Sequence, residues 1–373
     1  MGSMRIVHVI RQFPPGVGGL EEVAARLAEA QARAGHEVRV VTLDRIFTDP
    51  ETKLVARDSW MGAEIVRIPF LGSTRYSFAP TVLGHIGDAD VVHEHAIDFF
   101  YDFLAATKPI HRKPLVATTH GGFFHSSAHT RLKRLWFATV SKASARAYDA
   151  IAACSAADFD LFKSISPGNL TLVENGVDID KFAGRAPAAP VRRLVTIGRF
   201  SVNKRLDRLL DVMAALVRRD GEWALDIIGS DSDWTAARLE HEIAARDLGG
   251  RVSVHLGPSN EAAARIVEGA SLFVSASSYE GFGLSLIEAL SAGLAPVVEA
   301  NAAFKGFAAK TADIALADFA YATRAAQAIE AAYAKLATDP AAMRARLLAA
   351  AAPYAWPGVA QRYLTLYEKV LRR

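Results

Sequence analysis

Cysteine is almost missing from the chain: there is one, Cys154, among 373 residues. An internal disulfide is thereby excluded, and a reducing cytoplasm is the natural compartment. Long apolar runs are missing as well. No stretch reaches the roughly 18 residues of a membrane span, and the start lacks the charged-then-apolar pattern of an export signal. Neither sign of charge dominates: 43 Lys and Arg stand against 40 Asp and Glu, a net charge of +3. That balance excludes a dedicated nucleic-acid binder, whose basic residues must neutralise many phosphates, so any basic patch is local. Apolar residues, by contrast, make up 51% and charged residues only 22%, which excludes wholesale disorder. The length exceeds what one hydrophobic core usually serves and predicts two domains.

The apolar pattern is strand then helix, repeated. Buried strands are predicted at 5–10, 37–43, 64–68, 90–93, 115–119, 150–154 and 170–173, with helices at 20–34, 130–148 and 156–163. A small-residue and proline stretch at 183–190 reads as a linker. The pattern then restarts, with strands at 193–197, 224–228, 252–256, 272–275 and 295–298 and helices at 205–218, 234–246, 260–268 and 283–292. Alanine-rich helices over 319–352 and a last helix at 359–371 complete the chain. Such alternation predicts an α/β protein with two doubly wound, Rossmann-like domains facing a central crevice. The expected boundaries are 4–182 for the first domain, 191–355 for the second, and 356–373 for a helix returning to the first.

Three motifs carry chemistry. Pro14-Pro15-Gly16-Val17-Gly18-Gly19 lies between a strand and a helix, where bare amides and the helix dipole favour a phosphate. It is not a dinucleotide fingerprint, since Glu21 stands where the third glycine would fall, although Asp44 sits about where a ribose-binding acid would. After the strand at 193–197 come Arg199 and Lys204, two cations able to converge on one anion. The third motif is Glu280-Gly281-Phe282-Gly283-Leu284-Ser285, with Glu288 about two turns into the adjoining helix. It offers amides to an anion and carboxylates to neutral polyol hydroxyls.

Other constellations read differently. Four Asp-x-Asp pairs occur, and of these Asp231 and Asp233 are read as a helix cap rather than a metal site. His93 and His95 alternate on a strand without a Cys or H-E-x-x-H partner and are read as polar crevice lining, so no metal is expected. On the 130–148 helix, Arg131, Arg134, Lys142 and Arg146 share one side, opposite Leu132, Trp136, Val140, Ala143 and Ala147. The basic stripe is either a solvated face or a contact to an anionic membrane surface.

Glu280 and Glu288 with Gly-Phe-Gly-Leu between them resemble the E-x7-E motif of family 4 glycosyltransferases, retaining enzymes of the GT-B fold. The resemblance runs from Met4 to the end and takes in Gly18-Gly19, Asn175-Gly176-Val177-Asp178, Arg199 and Lys204. Longer blocks, Arg11-Gln12-Phe13-Pro14, 42–50, 97–102 and 119–125, look like the α-mannosyltransferases that extend diphosphopolyprenol-linked cellobiose. The likeness implies GDP-mannose as donor substrate with no cofactor, a lipid-linked oligosaccharide acceptor, and a place on the inner face of the cell membrane. It also implies that Arg199 and Lys204 hold the diphosphate, Glu280 the sugar and Glu288 the ribose. Gly18 and Gly19 would approach the diphosphate, His120 would face the sugar, and Gly257-Pro258 would contact the base. Asp98, Asp102 and His125 are candidates for the acceptor. Two departures stand out: Arg205 where the family often has Gly, and Ala302-Ala303 where a Gly pair is common. The rival readings are a UDP-sugar transferase, an NAD-dependent oxidoreductase and a non-catalytic nucleotide-sugar sensor.

Overall fold

A computed structural model describes residues 2–16, 18–74, 76–120 and 134–372. The chain forms two compact units, Met1–Gly176 with Trp356–Arg373, and Val177–Ala355. In the first, the strands are β1 (Arg5–Val9), β2 (Glu37–Leu43), β3 (Arg45–Ile46), β4 (Asp49–Lys53), β5 (Arg57–Trp60), β6 (Ala63–Ile68), β7 (Leu71–Ser73), β8 (Tyr76–Phe78), β9 (Val91–His95), β10 (Leu115–Thr118), β11 (Ala150–Ala153) and β12 (Leu170–Leu172). Eight of them make one sheet in the order β12-β11-β10-β9-β1-β2-β6-β5, all parallel except the β5 edge. Helix α1 (Gly19–Arg33) and the C-terminal helix Trp356–Leu371 cover one face, and α2 (Phe99–His111) packs on the other.

Alternation along the strands sends Ile6, Val91 and Val116 toward the C-terminal helix and Val7, Val92 and Ala117 toward α2. A parallel strand covered on both faces is ordinarily apolar throughout. β9 departs from this: His93, Glu94 and His95 are all buried. Its polar second half explains why the apolar pattern stops at residue 93 while the strand runs on to His95.

The second unit holds β13 (Arg193–Ile197), β14 (Ala224–Gly229), β15 (Val252–Leu256), β16 (Leu272–Ser275), β17 (Ala295–Glu299) and β18 (Ala315–Ala317), parallel in the order β15-β14-β13-β16-β17-β18 around one core. The stretch 183–190, read as a linker, instead belongs here. Gly184 and Ala186 donate to the carbonyls of Ser291 and Ala292 at 2.9 Å, and Phe182 lies in the core. The chain passes between units at Gly176–Val177 and Ala355–Trp356. A proline-rich composition marks irregular backbone, and irregular backbone can still be packed. The β3–β4 and β7–β8 hairpins and the β5 edge escape apolar periodicity because their residues are mostly exposed.

Candidate active site

In the second unit the chain leaves β13 toward β14 and β15, then returns to β16 on the opposite side. Open α/β sheets bind ligands beyond the carboxyl ends of the strands where the order reverses, here between β13 and β16. The loops leaving these two strands carry Arg199 with Lys204, and Glu280. Gly198 adopts φ +148°, and a Cβ there would lie 2.9 Å from Lys204 Cε, so the lysine stem crosses the glycine. Asn203 ties the two loops together: its carbonyl accepts from Ser278 N at 2.8 Å and its Nδ2 donates to the Tyr279 carbonyl at 3.1 Å. Lys204 Nζ thereby stands 2.7 Å from Glu280 Oε1, the two side chains only 18% and 12% exposed. Arg199 is exposed and, among the described residues, pairs with no carboxylate.

Helix Leu284–Ala292 starts at Gly283, which is left-handed at φ +99° and provides no side-chain cap, an arrangement of first-turn amides that suits an anion. A Cβ on Gly283 would meet Phe304 Cε1 at 3.1 Å. Glu288 pairs with Lys181 Nζ at 3.0 Å, a partner the motif does not reveal. Gly281 has open space where a side chain would be. The Phe282 ring packs against Phe307 and Tyr354 with centroids 5.5 and 5.9 Å away, so the part of Phe282 open to a donor is its main chain. Gly257, at φ +54°, ends β15 with its amide on the Gly229 carbonyl at 2.7 Å, and Pro258 comes next. Arg205 also lies in the left-handed region, at φ +49°, which accounts for the glycine common there in the family. Of the cap assigned to Asp231 and Asp233, Asp231 serves the first amide of helix Ala236–Ala244, while the N-cap itself is Thr235, whose side chain accepts from Arg238 N. Asp231 accepts from Ala236 N, while Asp233 braces the Lys204 turn by accepting from Val202 N at 2.9 Å.

In the first unit the strand order reverses between β1 and β9. Beyond β1, α1 begins at Gly19 after the extended Gly18, with no side-chain cap and open space above Gly19. Arg11 Nε lies 2.7 Å from Asp98 Oδ2, joining the loops after the two strands. Asp98 also caps α2, accepting from Phe100 N at 2.8 Å, and Asp102 accepts from Ser144 Oγ at 2.6 Å and Trp136 Nε1 at 3.3 Å. Burial raises the pKa of both acids. Both acceptor candidates thus brace their own chain, and His125 lies outside the described residues. Asp44, the acid suggestive of NAD, faces Lys53 and Arg45 at 3.6 and 4.0 Å.

His120 comes after β10 at φ +50°, a conformation costing a non-glycine residue about 1–3 kcal/mol. Burial lowers its pKa to about 3, so it is neutral, a hydrogen-bonding group rather than a cation. His93 and His95 are corrected as crevice lining. Both are buried and form a cluster with His8. All six ring nitrogens of that cluster are engaged: His8 with His95 and Gln31, His93 with Thr118 and Tyr367, His95 with His8 and His120. A metal would have to displace these bonds.

Of the 130–148 helix, Arg131 and Leu132 lie outside the described residues. The described part contains a π turn, Phe137–Ser141, which rotates the last turns relative to a regular helix. Its buried residues are Phe137, Ser141, Ser144 and Ala145, with Tyr148 just beyond the helix, one position on from the expected apolar side, which is corrected. Leu135 and Trp136 are 60% and 40% exposed beside the exposed Arg134, Lys142 and Arg146.

Glu94 gives no signal in the sequence because it falls just past the predicted strand at 90–93, where an acid reads as the strand's end. It is fully buried, and among the described residues neither carboxyl oxygen has a hydrogen-bond partner. Burial first, then the neighbouring Asp98 carboxylate, push its pKa well up, with Arg11 opposing. Below the unfolded-state pKa, about 4.3, both states are protonated; as pH rises the unfolded chain ionises first and stability is lost. Glu94→Gln should therefore raise stability at pH 8 by about 1–3 kcal/mol, with the gain fading toward pH 4.5. Thermal melts at the two pH values check this, and an unchanged or lower Tm at pH 8 would refute it.

Comparisons with known proteins agree with this geometry. The model described as Glycosyltransferase Family 4 matches residues 17–181, and Glycosyl transferases group 1 matches 181–352. The GDP-mannose:cellobiosyl-diphosphopolyprenol alpha-mannosyltransferase of Xanthomonas campestris is 42% identical over 370 residues, covering 99% of this chain and 97% of its own. The protein of the same name from Komagataeibacter xylinus is 40% identical, covering 100% and 94%. Among solved structures, sucrose-phosphate synthase of Thermosynechococcus elongatus is similar in fold, with TM-score 0.72, 20% identity and 99% of each chain covered. A glycosyltransferase from Rickettsia africae has TM-score 0.74 at 15% identity over 100% of both chains. With Lys204 and Glu280 paired where the sheet order reverses and full-length likeness to such enzymes, the chain belongs to glycosyltransferase family 4, with the two Rossmann-like domains of the GT-B fold.

Proposed function

We propose that the chain is a retaining α-mannosyltransferase, moving mannose from GDP-mannose to a polyprenyl-diphosphate-linked, cellobiose-like glycan at the cytoplasmic face of the membrane. The observation that carries it is the grouping of Arg199, the Lys204–Glu280 pair and an uncapped helix terminus on the loops after β13 and β16. The likeness at 40–42% identity to enzymes whose names state this donor and acceptor supports the substrate assignment.

Glu280 holds donor-sugar hydroxyls, Glu288 the ribose, and Gly257-Pro258 the base through main chain. Gly18 and Gly19 approach the diphosphate, and His120 contacts the sugar. The bond from the sugar's anomeric carbon to phosphate breaks as the acceptor oxygen bonds to that carbon on the same face, and the acceptor proton passes to the departing phosphate oxygen. Charge on the leaving diphosphate grows toward the transition state, so Arg199, Lys204 and the amides favour that state over the bound donor. These cations supply the neutralisation a metal would otherwise provide. Leu135 and Trp136 beside Arg134, Lys142 and Arg146 suit a lipid surface, each basic residue contributing about 1 kcal/mol toward anionic headgroups.

One transfer assay tests the reading: labelled GDP-mannose or UDP-glucose, with polyprenyl-linked cellobiose in anionic or neutral vesicles, with and without chelator. Mannose transfer that survives chelator and is fastest on anionic vesicles is expected. Transfer from the UDP-sugar alone would replace the donor, and loss with chelator restored by Mg²⁺ would end metal independence. Equal rates on both vesicles would remove the membrane contact, while GDP-mannose binding without turnover would make the chain a sensor.

A further inference from the structure

Behind His120 lies a continuous buried chain of hydrogen bonds. His120 Nε2 meets His95 Nδ1 at 2.9 Å, His95 Nε2 meets His8 Nδ1 at 2.8 Å, and His8 Nε2 meets Gln31 Oε1 at 2.7 Å. The Gln31 amide, on α1, also donates through Nε2 to Tyr367 Oη at 3.1 Å. Tyr367 Oη in turn meets His93 Nδ1 at 2.6 Å, and His93 Nε2 meets Thr118 Oγ1 at 2.7 Å. A neutral imidazole has one donor and one acceptor nitrogen, so each bond in such a chain dictates the next. With Gln31 Oε1 toward His8, the His8 proton must sit on Nε2. His8 Nδ1 then accepts, which places the His95 proton on Nε2, and the same step places the His120 proton on Nε2. Along the other branch, Tyr367 accepts from Gln31 and donates to His93 Nδ1, putting that proton on Nε2 as well. Turning the amide over would reverse every bond.

We propose that Gln31 is a positioning residue: its amide, oriented by Tyr367, sets the tautomer of His8, His95 and His120 together, so that His120 presents Nδ1 as an acceptor to a donor-sugar hydroxyl. The last clause rests on the reading of His120 as a sugar contact. The relay itself does not. No residue of the chain needs to change charge, because burial holds these rings neutral.

The test is nitrogen-15 NMR of ring-labelled histidines, with His120 assigned by His120→Ala. In the wild type, His8, His95 and His120 all carry the proton on Nε2. Gln31→Leu leaves the His8 ring nitrogen against an apolar group, where a lone pair is tolerated better than an N–H, so all three shift toward the Nδ1-protonated form. Tyr367→Phe, kept in case the leucine variant fails to fold, does the same by letting the amide turn its oxygen toward the phenyl ring. Gln31→Glu, an acceptor toward His8, retains the wild-type pattern. Unchanged tautomers in both Gln31→Leu and Tyr367→Phe, or mixed tautomers among the three rings in the wild type, would overturn the relay. In parallel, kcat/KM for GDP-mannose should fall roughly three- to tenfold in Gln31→Leu as the competent fraction falls, with GDP affinity unchanged and Gln31→Glu rescuing. Shifted tautomers with unchanged kcat/KM would leave the relay standing and remove His120 from the donor sugar.

Discussion

Lys204→Ala should lower kcat for mannosyl transfer by about 10²–10³-fold, the loss typical when one preorganised donor to a developing negative charge is removed. The lysine is held in place by three features before any ligand arrives: its stem crosses Gly198, its turn is braced by Asp233, and its Nζ lies 2.7 Å from Glu280. Preorganisation of this kind favours the transition state because no reorientation is needed as the diphosphate departs. The substitution also strands Glu280, a mostly buried carboxylate, without its cation. Lys204→Arg should recover part of the rate, since charge returns but the single-point fit over Gly198 does not. Steady-state kinetics with GDP-mannose decide the matter: a loss below tenfold would remove Lys204 from the chemistry.

Gly229→Ala should destabilise the second unit by about 3 kcal/mol, the upper part of the usual range for overpacking, lowering Tm by roughly 6–12 °C. A Cβ at this position would lie 1.9 Å from the carbonyl oxygen of Gly198 and 2.9 Å from its carbon, with Phe200 Cε1 at 2.8 Å. Two of those atoms are backbone, so relief requires moving the end of β13, which carries Arg199. Activity should fall with stability. Gly249→Ala, where a Cβ meets nothing within 4 Å, is the matched control and should leave Tm within a degree or two. Equal melting temperatures for the two variants would show that the close approach of β13 and β14 is not needed.

The candidate-site residues of the second unit are legible because their signals are local. Arg199, Lys204, Glu280, Gly283 and Glu288 each sit in a strand-loop-helix segment whose chemistry comes from a dozen neighbouring letters. Phe282 lies in the same segment with its ring turned into the core, and a motif shows adjacency in sequence but not which side of the loop a ring takes. His8, Gln31 and Tyr367 give no such signal. Gln31 bonds to Tyr367 336 positions away, and Tyr367 to His93 across 274. Glu94 looks like the end of an apolar strand. In the described part of the 130–148 helix the buried face lies one residue on from the apolar side, because Ser141 and Ser144 are buried while Trp136 is 40% exposed.

The amino-acid order by itself determined two doubly wound halves, because alternating apolar strands and amphipathic helices have few other ways to bury their faces. It also determined which loops carry cations, carboxylates and bare amides, since those come directly after strand ends. Only the tertiary structure decided who meets whom: Lys204 with Glu280, Lys181 with Glu288, Arg11 with Asp98, and the histidines with Gln31. Those pairings depend on strand order and register, which bring distant segments into hydrogen-bonding contact, and on burial, which sets the charge state of the groups brought there.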